Sequence, residues 1–386
     1  MKTPRQTGFD CPPGRTDTDS LKWNRYAGRD ILPLWVADMD FQSPPPVMEA
    51  LHKRIDHGIF GYTLPSPAVT QAVVDWLKTR HCWTVRPEWI VWLPGIVSAL
   101  HIVCRAFAQP EEEILTFTPI YPPFLTAPPL SQRRLVRCPL RREKNSYTID
   151  LDSLKNAVSP RSRVLLLCSP HNPVGRVWTK EELRTAAQIC IGKNCLICSD
   201  EIHADLVLDP AKRHIPTASL SEEIARHTVT LASPSKTFNL PGLSCAYAVI
   251  PSDQLRRQFK HTMQGILPHV NTLGYVACKA AYTEGTSWLN ELLEYLRANR
   301  DLVDKTINAL PGLSMGPVEA TYLAWIDCRG LGIPNPALFF EEAGVGLSDG
   351  AEFDAPGFVR LNFACPRSRL REALARMTKA LSETTL

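Results

Sequence analysis

Two kinds of hydrophobic pattern alternate along this chain. Short, nearly continuous apolar runs occur at 113–117, 164–168, 195–199, 228–232 and 246–250. Segments with helical spacing accompany them: 69–79 predicts an amphipathic helix, and 98–107 predicts another after a Pro94-Gly95 turn. Strands that are apolar without alternation are covered on both faces. The pattern therefore predicts an α/β fold, a mostly parallel central sheet flanked by helices. Ligands of such sheets bind beyond the carboxyl ends of the strands. Asn172, Asp200 and Lys236 each come just after an apolar run, so three distant segments can converge on one crevice.

The C-terminal part reads differently. A long helix is expected over 288–308, strands over 322–327 and 359–363, and a last helix from Arg367, which together predict a smaller α+β domain. The first 46 residues are irregular and dotted with proline, with one strand candidate at 31–36, and are expected to join the small domain. The division is then 1–46, a large domain at 47–285 and a small one at 286–386.

Composition changes this picture little. Hydrophobic residues make up 44% and charged residues 21%, ordinary values for a globular protein. A net charge of +4 is too mild to argue for nucleic acid. No run approaches the roughly 18 apolar residues of a membrane helix, and the polar first 20 residues lack a signal-peptide core. Twelve scattered cysteines are expected to be reduced thiols in a cytoplasmic protein. Cys190, Cys195 and Cys198 match a cluster-type spacing. Successive side chains of a strand at 194–199 would point to opposite faces, however, and no metal is expected there.

Lys236 lies in Ser233-Pro234-Ser235-Lys236-Thr237-Phe238-Asn239-Leu240-Pro241-Gly242. A lysine among hydroxyls and turn formers suits a Schiff base with an aldehyde cofactor whose phosphate the hydroxyls hold; a solvated surface lysine is the plainer alternative. Asp200 ends an apolar run, where a carboxylate would keep a pyridine nitrogen protonated or merely cap a helix. Asn172, in His171-Asn172-Pro173-Val174-Gly175, is either a turn asparagine or a donor to a phenolic oxygen. Pro94-Gly95-Ile96-Val97-Ser98 reads as a turn into a helix, whose free amides either hold a phosphate or simply start the helix. Tyr121 is either an aromatic able to stack on a flat ring or a surface-loop tyrosine. Arg360 stands in an apolar strand and needs either a substrate carboxylate or a structural salt bridge.

Taken together these segments resemble fold-type I pyridoxal phosphate enzymes of the aspartate aminotransferase superfamily. Arg15-Thr16-Asp17-Thr18-Asp19-Ser20-Leu21-Lys22-Trp23, Trp35-Val36-Ala37-Asp38-Met39-Asp40-Phe41, Gly61-Tyr62, Ser199-Asp200-Glu201-Ile202-His203 and Cys365-Pro366-Arg367-Ser368 resemble its MalY/PatB-type cystathionine β-lyases, the C–S lyases. Where this chain has His203, aminotransferases of the superfamily usually have tyrosine.

The resemblance implies pyridoxal 5'-phosphate held by Lys236, which later acts as general base. It implies Asp200 on the ring nitrogen, Asn172 on the phenolic oxygen, Tyr121 stacked on the ring and His203 beside it. Ile96, Val97, Ser233 and Ser235 would hold the phosphate. Tyr62 would reach the neighbouring subunit's phosphate in a homodimer. Arg360 would clamp the carboxylate of an amino-acid substrate, with Ala37 and Asp38 lining the entrance. An arginine common eight residues after the lysine is Ser244 here. The implied reaction is β-elimination from a cysteine thioether; the alternative is an aminotransferase acting on an amino acid and a 2-oxo acid. Regulators built on this fold carry a DNA-binding domain ahead of it; with the fold's own motifs beginning at Arg15, a purely regulatory role is not expected here.

Overall fold

The computed structural model describes residues 8–383. Seven strands form the large sheet: β1 (Ile90–Leu93), β2 (Glu113–Thr118), β3 (Arg134–Pro139), β4 (Ser162–Cys168), β5 (Leu196–Asp200), β6 (Thr228–Ala232) and β7 (Ala246–Val249). Their order is β1-β7-β6-β5-β4-β2-β3. Pairs from β6 through to β3 are parallel, whereas β7 runs antiparallel to both its neighbours. The apolar runs are continuous because both faces are covered. Leu165 and Leu167 of β4 enter one core, while Leu166 and Cys168 enter the other. The same alternation separates the suspected cysteine triplet. Cys190 and Cys195 pack in one core and Cys198 in the opposite one, so the three thiols cannot share an ion.

Helix α1 (Pro67–His81) begins at Ser66, whose hydroxyl accepts from the Val69 amide. It buries Val69, Ala72, Val73, Trp76 and Leu77, the helical spacing of one face, and ends at Cys82 in the left-handed region (φ 54°). Helix α2 (Ile96–Phe107) starts two residues before its expected position, because Ile96 is already buried against the sheet.

The smaller sheet is antiparallel, in the order β8 (Ser314–Met315), β9 (Leu323–Asp327), β11 (Phe358–Asn362), β10 (Ser348–Asp349). Helices α3 (Thr286–Ile307) and α4 (Arg367–Glu383) pack with it. Buried Asn299 of α3 donates to the carbonyls of Phe363 and Cys365, both at 2.9 Å, and so pins the helix to the end of β11.

The strand expected at 31–36 is shorter than the sequence implies. Only Leu32–Pro33 pairs, in parallel, with Val345–Gly346. The Leu34 amide still donates to Gly346 O (2.8 Å) and its carbonyl accepts from the Asn362 amide (2.9 Å), but from Trp35 onward carbonyls turn to side chains. Trp35 O accepts from Arg360 and Ser348, and Val36 O from Asn362. No described helix is long and apolar enough to cross a membrane.

Candidate active site

At the carboxyl edge of the large sheet lies a cavity of about 610 Å³. Asp200, the last residue of β5, enters it directly; Asn172 reaches it from the loop after β4, and Lys236 from the loop after β6. Tyr121, just before the helix at Pro122–Leu130, and Ile96, Val97, His203, Ser233, Ser235, Arg360 and Ala37 line the same space.

Burial sets the electrostatics. It pushes the Asp200 carboxyl up to about 7, against one stabilising hydrogen bond from the Ile202 amide (3.1 Å). This bond is the local turn contact expected of an aspartate at a strand end, and it leaves the second oxygen uncommitted. Burial also lowers Lys236 to about 8, with Arg360 acting in the same direction and Asp38 and Asp200 opposing. Its Nζ donates to Ala37 O at 2.6 Å. His203 is driven down to about 3 by burial and by the charges of Lys236 and Arg360, so it is a neutral imidazole, with Nδ1 buried and unpartnered.

Arg360 has neutral partners only. Nη1 donates to Asn172 Oδ1 (3.1 Å), and Nη2 to Trp35 O (2.9 Å) and Ser348 Oγ (3.3 Å). The guanidinium lies 4.6 Å from the Phe353 ring centroid, and its Nε is buried without a partner. Burial brings its pKa down to about 10. A fully buried cation without a carboxylate beside it is poised for an anionic ligand.

The phosphate end is built from backbone. Gly95 precedes α2 with no side chain capping the helix, so the first-turn amides of Ile96 and Val97 are free. No atom lies within 4 Å of a Cβ placed on Gly95, which leaves the approach open. The two serines differ. Ser233 Oγ donates to Cys245 O (2.7 Å) and accepts from the Ser235 amide (3.0 Å), so its proton is committed to shaping the loop. Ser235 and Ser244 line the cavity as well, and neither hydroxyl is committed to such a bond among the described residues.

Asp38 departs from its expected place, whereas Tyr62, expected at a neighbouring subunit's site, lies outside this chain's own cavity. Asp38 does not line the cavity. It faces a charge cluster in which it meets Arg15 (2.8 Å) and Lys22 (3.6 Å), while Ala37 alone turns to the entrance. Tyr62 is 110% exposed and lines a separate groove with Phe60 and the 268–273 segment.

Several participants were not picked out from the sequence. Tyr322, buried just before β9, donates to the same Ala37 carbonyl as Lys236 (2.9 Å). Asn362 donates to Val36 O (2.7 Å) and Asp38 O (2.6 Å). Beneath that strap, fully buried Lys22 meets Asp40 at 3.1 Å, and Arg15 and Arg369 meet it at 2.9 and 2.8 Å. Burial alone would raise Asp40; Lys22, Arg369, Trp23 and Arg15 overcome it and hold the carboxyl below its ordinary range. The only signal of Arg15, Lys22, Trp23 and Asp40 in sequence was membership of the two N-terminal motifs.

The residues present suit a flat, phosphorylated pyridine aldehyde: an amine of lowered pKa, a buried carboxyl, a neutral imidazole with an orphaned nitrogen and free helix amides. Comparisons with known proteins point the same way. The family model for aminotransferase class I and II matches residues 29–377. The chain is 37% identical to cystathionine beta-lyase PatB of Bacillus subtilis, over 97% of this chain and 100% of the relative. It is 47% identical to a protein whose crystal structure is named OvoB, with a TM-score of 0.96 over 98% of this chain and 100% of that one. Cystalysin of Treponema denticola, solved with a pyridoxal 5'-phosphate cofactor, is 34% identical, with a TM-score of 0.94 over 97% and 98% of the two chains.

Proposed function

The chain belongs to the aminotransferase class I and II family, and from that premise we propose that it is a pyridoxal 5'-phosphate-dependent carbon–sulfur β-lyase of the cystathionine β-lyase type. The observation that carries this reading is the seating of Lys236, Asp200, Asn172 and Arg360 around one cavity, in a chain similar over its whole length to a named cystathionine β-lyase.

When bound, pyridoxal phosphate supplies a conjugated ring that takes up the electron pair left when an amino acid loses its α-proton. The side chains do the rest. Asp200 pairs with the protonated ring nitrogen; the opposite charge replaces the burial penalty that now keeps its pKa near 7. Asn172, its Oδ1 already held by Arg360, keeps its amide hydrogens for the phenolic oxygen. Tyr121 stacks on the ring, and the amides of Ile96 and Val97 with Ser235 hold the phosphate. Arg360 takes the substrate carboxylate. Lys236 removes the α-proton, its lowered pKa suiting a base near neutral pH. The balanced reaction is a cysteine thioether plus water giving a thiol, pyruvate and ammonium.

We also infer a homodimer. Ile59, Phe60, Tyr62 and Leu64 are all exposed apolar side chains in one short run away from this chain's own cavity, a pattern that suits a second copy. If Tyr62 completes the partner's site, mixing inactive Lys236→Ala with Tyr62→Phe chains will restore activity above either alone. The twelve unpaired thiols support a reducing, cytoplasmic setting.

The first test is release of pyruvate and thiol from L-cystathionine by cofactor-loaded protein. Equal catalytic release of both is expected, and Lys236→Ala should lower it by at least about 10³-fold. Amino-group transfer to a 2-oxo acid without thiol release would make the chain an aminotransferase instead.

A further inference from the structure

At the mouth of the cavity stands one acidic side chain that the chemistry above does not use, Glu352. It belongs to a short turn, Gly350–Phe353, that is fixed at several points. Asp349 Oδ1 accepts from the Ala351 amide (2.9 Å), and Gly350 O from the Ala355 amide (3.0 Å). A Cβ on Gly350 would lie 2.4 Å from Ala355 O, so the turn sits tight on the chain beneath it. Phe353 is buried under the Arg360 guanidinium, and its carbonyl accepts from the Ile120 amide (3.1 Å), next to Tyr121. The turn thus ties the Arg360 side of the cavity to the Tyr121 side and holds Glu352 between them.

The Glu352 carboxylate itself is exposed and makes no ion pair or hydrogen bond among the described residues. It acts on Arg360 only through space. Among the described residues, Asp200 is the only other carboxylate lining the cavity, and it lies at the strand end where the cofactor ring is proposed to sit. Trp35, whose carbonyl meets Ser348 and Arg360, and the 71% exposed Leu21 add apolar surface to the lining of the same cavity. A cavity lined by apolar surface and one uncommitted anion matches a short aliphatic arm ending in a cation.

Resting on the reading above, in which Arg360 takes the α-carboxylate, we propose that Glu352 is a specificity residue that selects cysteine thioethers whose leaving group carries a protonated amine. One end of the substrate is read by Arg360 and the other by Glu352. The anion outside the catalytic groups makes no bond and moves no proton; it changes only which thioether is held.

Two isosteric amino acids test this: S-(2-aminoethyl)-L-cysteine, with a terminal ammonium, and S-propyl-L-cysteine, with a methyl in its place. Binding of each to cofactor-loaded protein is read from the cofactor's visible absorbance, and pyruvate release is followed separately. The aminoethyl compound should bind about fivefold more tightly at low ionic strength, the preference shrinking with salt. Glu352→Gln should bring the ratio to within about twofold, with the loss falling on the aminoethyl compound. Equal binding by the unmodified protein, or a preference that survives Glu352→Gln, overturns the proposal. An equal loss for both compounds also overturns it, since that marks a merely structural role. A Glu352-dependent preference with no pyruvate from either compound or from L-cystathionine upholds Glu352 as the reader of the terminal ammonium while rejecting the lyase reading.

Discussion

Arg360 Nη1 donates to Asn172 Oδ1 at 3.1 Å, joining the small sheet to the loop after β4. The two residues are 188 positions apart in sequence, yet each fixes what the other can do. Asn172 lines the cavity with its Oδ1 committed to Arg360, and the Arg360 fork is held by Asn172, Trp35 and Ser348. Arg360→Lys keeps the charge but loses the fork. Michaelis constants for amino-acid substrates should rise roughly 10- to 100-fold, with kcat changed much less. Steady-state kinetics of pyruvate release check this; an unchanged KM would remove Arg360 from carboxylate binding.

Asp200 predicts an unusual pH dependence for the cofactor-free protein. Its folded pKa, about 7, lies above the ordinary 3.8, so the unfolded chain gives up this proton first. The group therefore costs stability progressively as pH rises from about 4 to 7. Asp200→Asn should stabilise the cofactor-free protein at pH 8 by up to ~4 kcal/mol, and much less at pH 4.5. Urea unfolding of both proteins at the two pH values measures the difference. A pH-independent gap would contradict this account.

Lys236 captures the cofactor only as a neutral amine. With its pKa near 8, the rate of pyridoxal phosphate incorporation should climb about tenfold per pH unit below that value and level off above it. Stopped-flow absorbance resolves the profile, and an inflection near 10 would mean that burial does not depress this lysine.

The buried charges beneath the strap separate two substitutions. Asp40→Asn strips the shared counter-charge from Lys22, Arg15 and Arg369 and should cost about 3–5 kcal/mol. Lys22→Met leaves Asp40 with both arginines and fills the same space, so its cost should be clearly smaller. Thermal unfolding of both variants tests the order; the reverse ranking would show that Lys22, not Asp40, organises the cluster.

Much of this protein was legible in its residues. The apolar runs at 164–168 and 228–232 became β4 and β6, because a strand covered on both faces needs no alternation, and sequence displays this directly. Asn172, Asp200 and Lys236 could be placed together because each follows such a strand, and parallel strands bring their carboxyl ends to one edge. The antiparallel sense of β7 was not readable, since an apolar run has no direction.

The strap at 35–41 depended on tertiary contacts. The 31–36 run has the composition of a strand, but its later carbonyls are taken by Arg360, Ser348 and Asn362, which arrive from more than 300 residues away. Composition likewise made Asp38 and Ala37 equivalent neighbours. Only the positions of Arg15 and Lys22 decide that Asp38 turns away while Ala37 presents its carbonyl to Lys236 and Tyr322. Local sequence thus determined the elements and the order of the chemical groups, because periodicity and turn chemistry act over a few residues. Which groups face the cavity, which spend their hydrogen bonds elsewhere and which pKa values shift were decided by burial and long-range partners, which exist only once the chain has closed on itself.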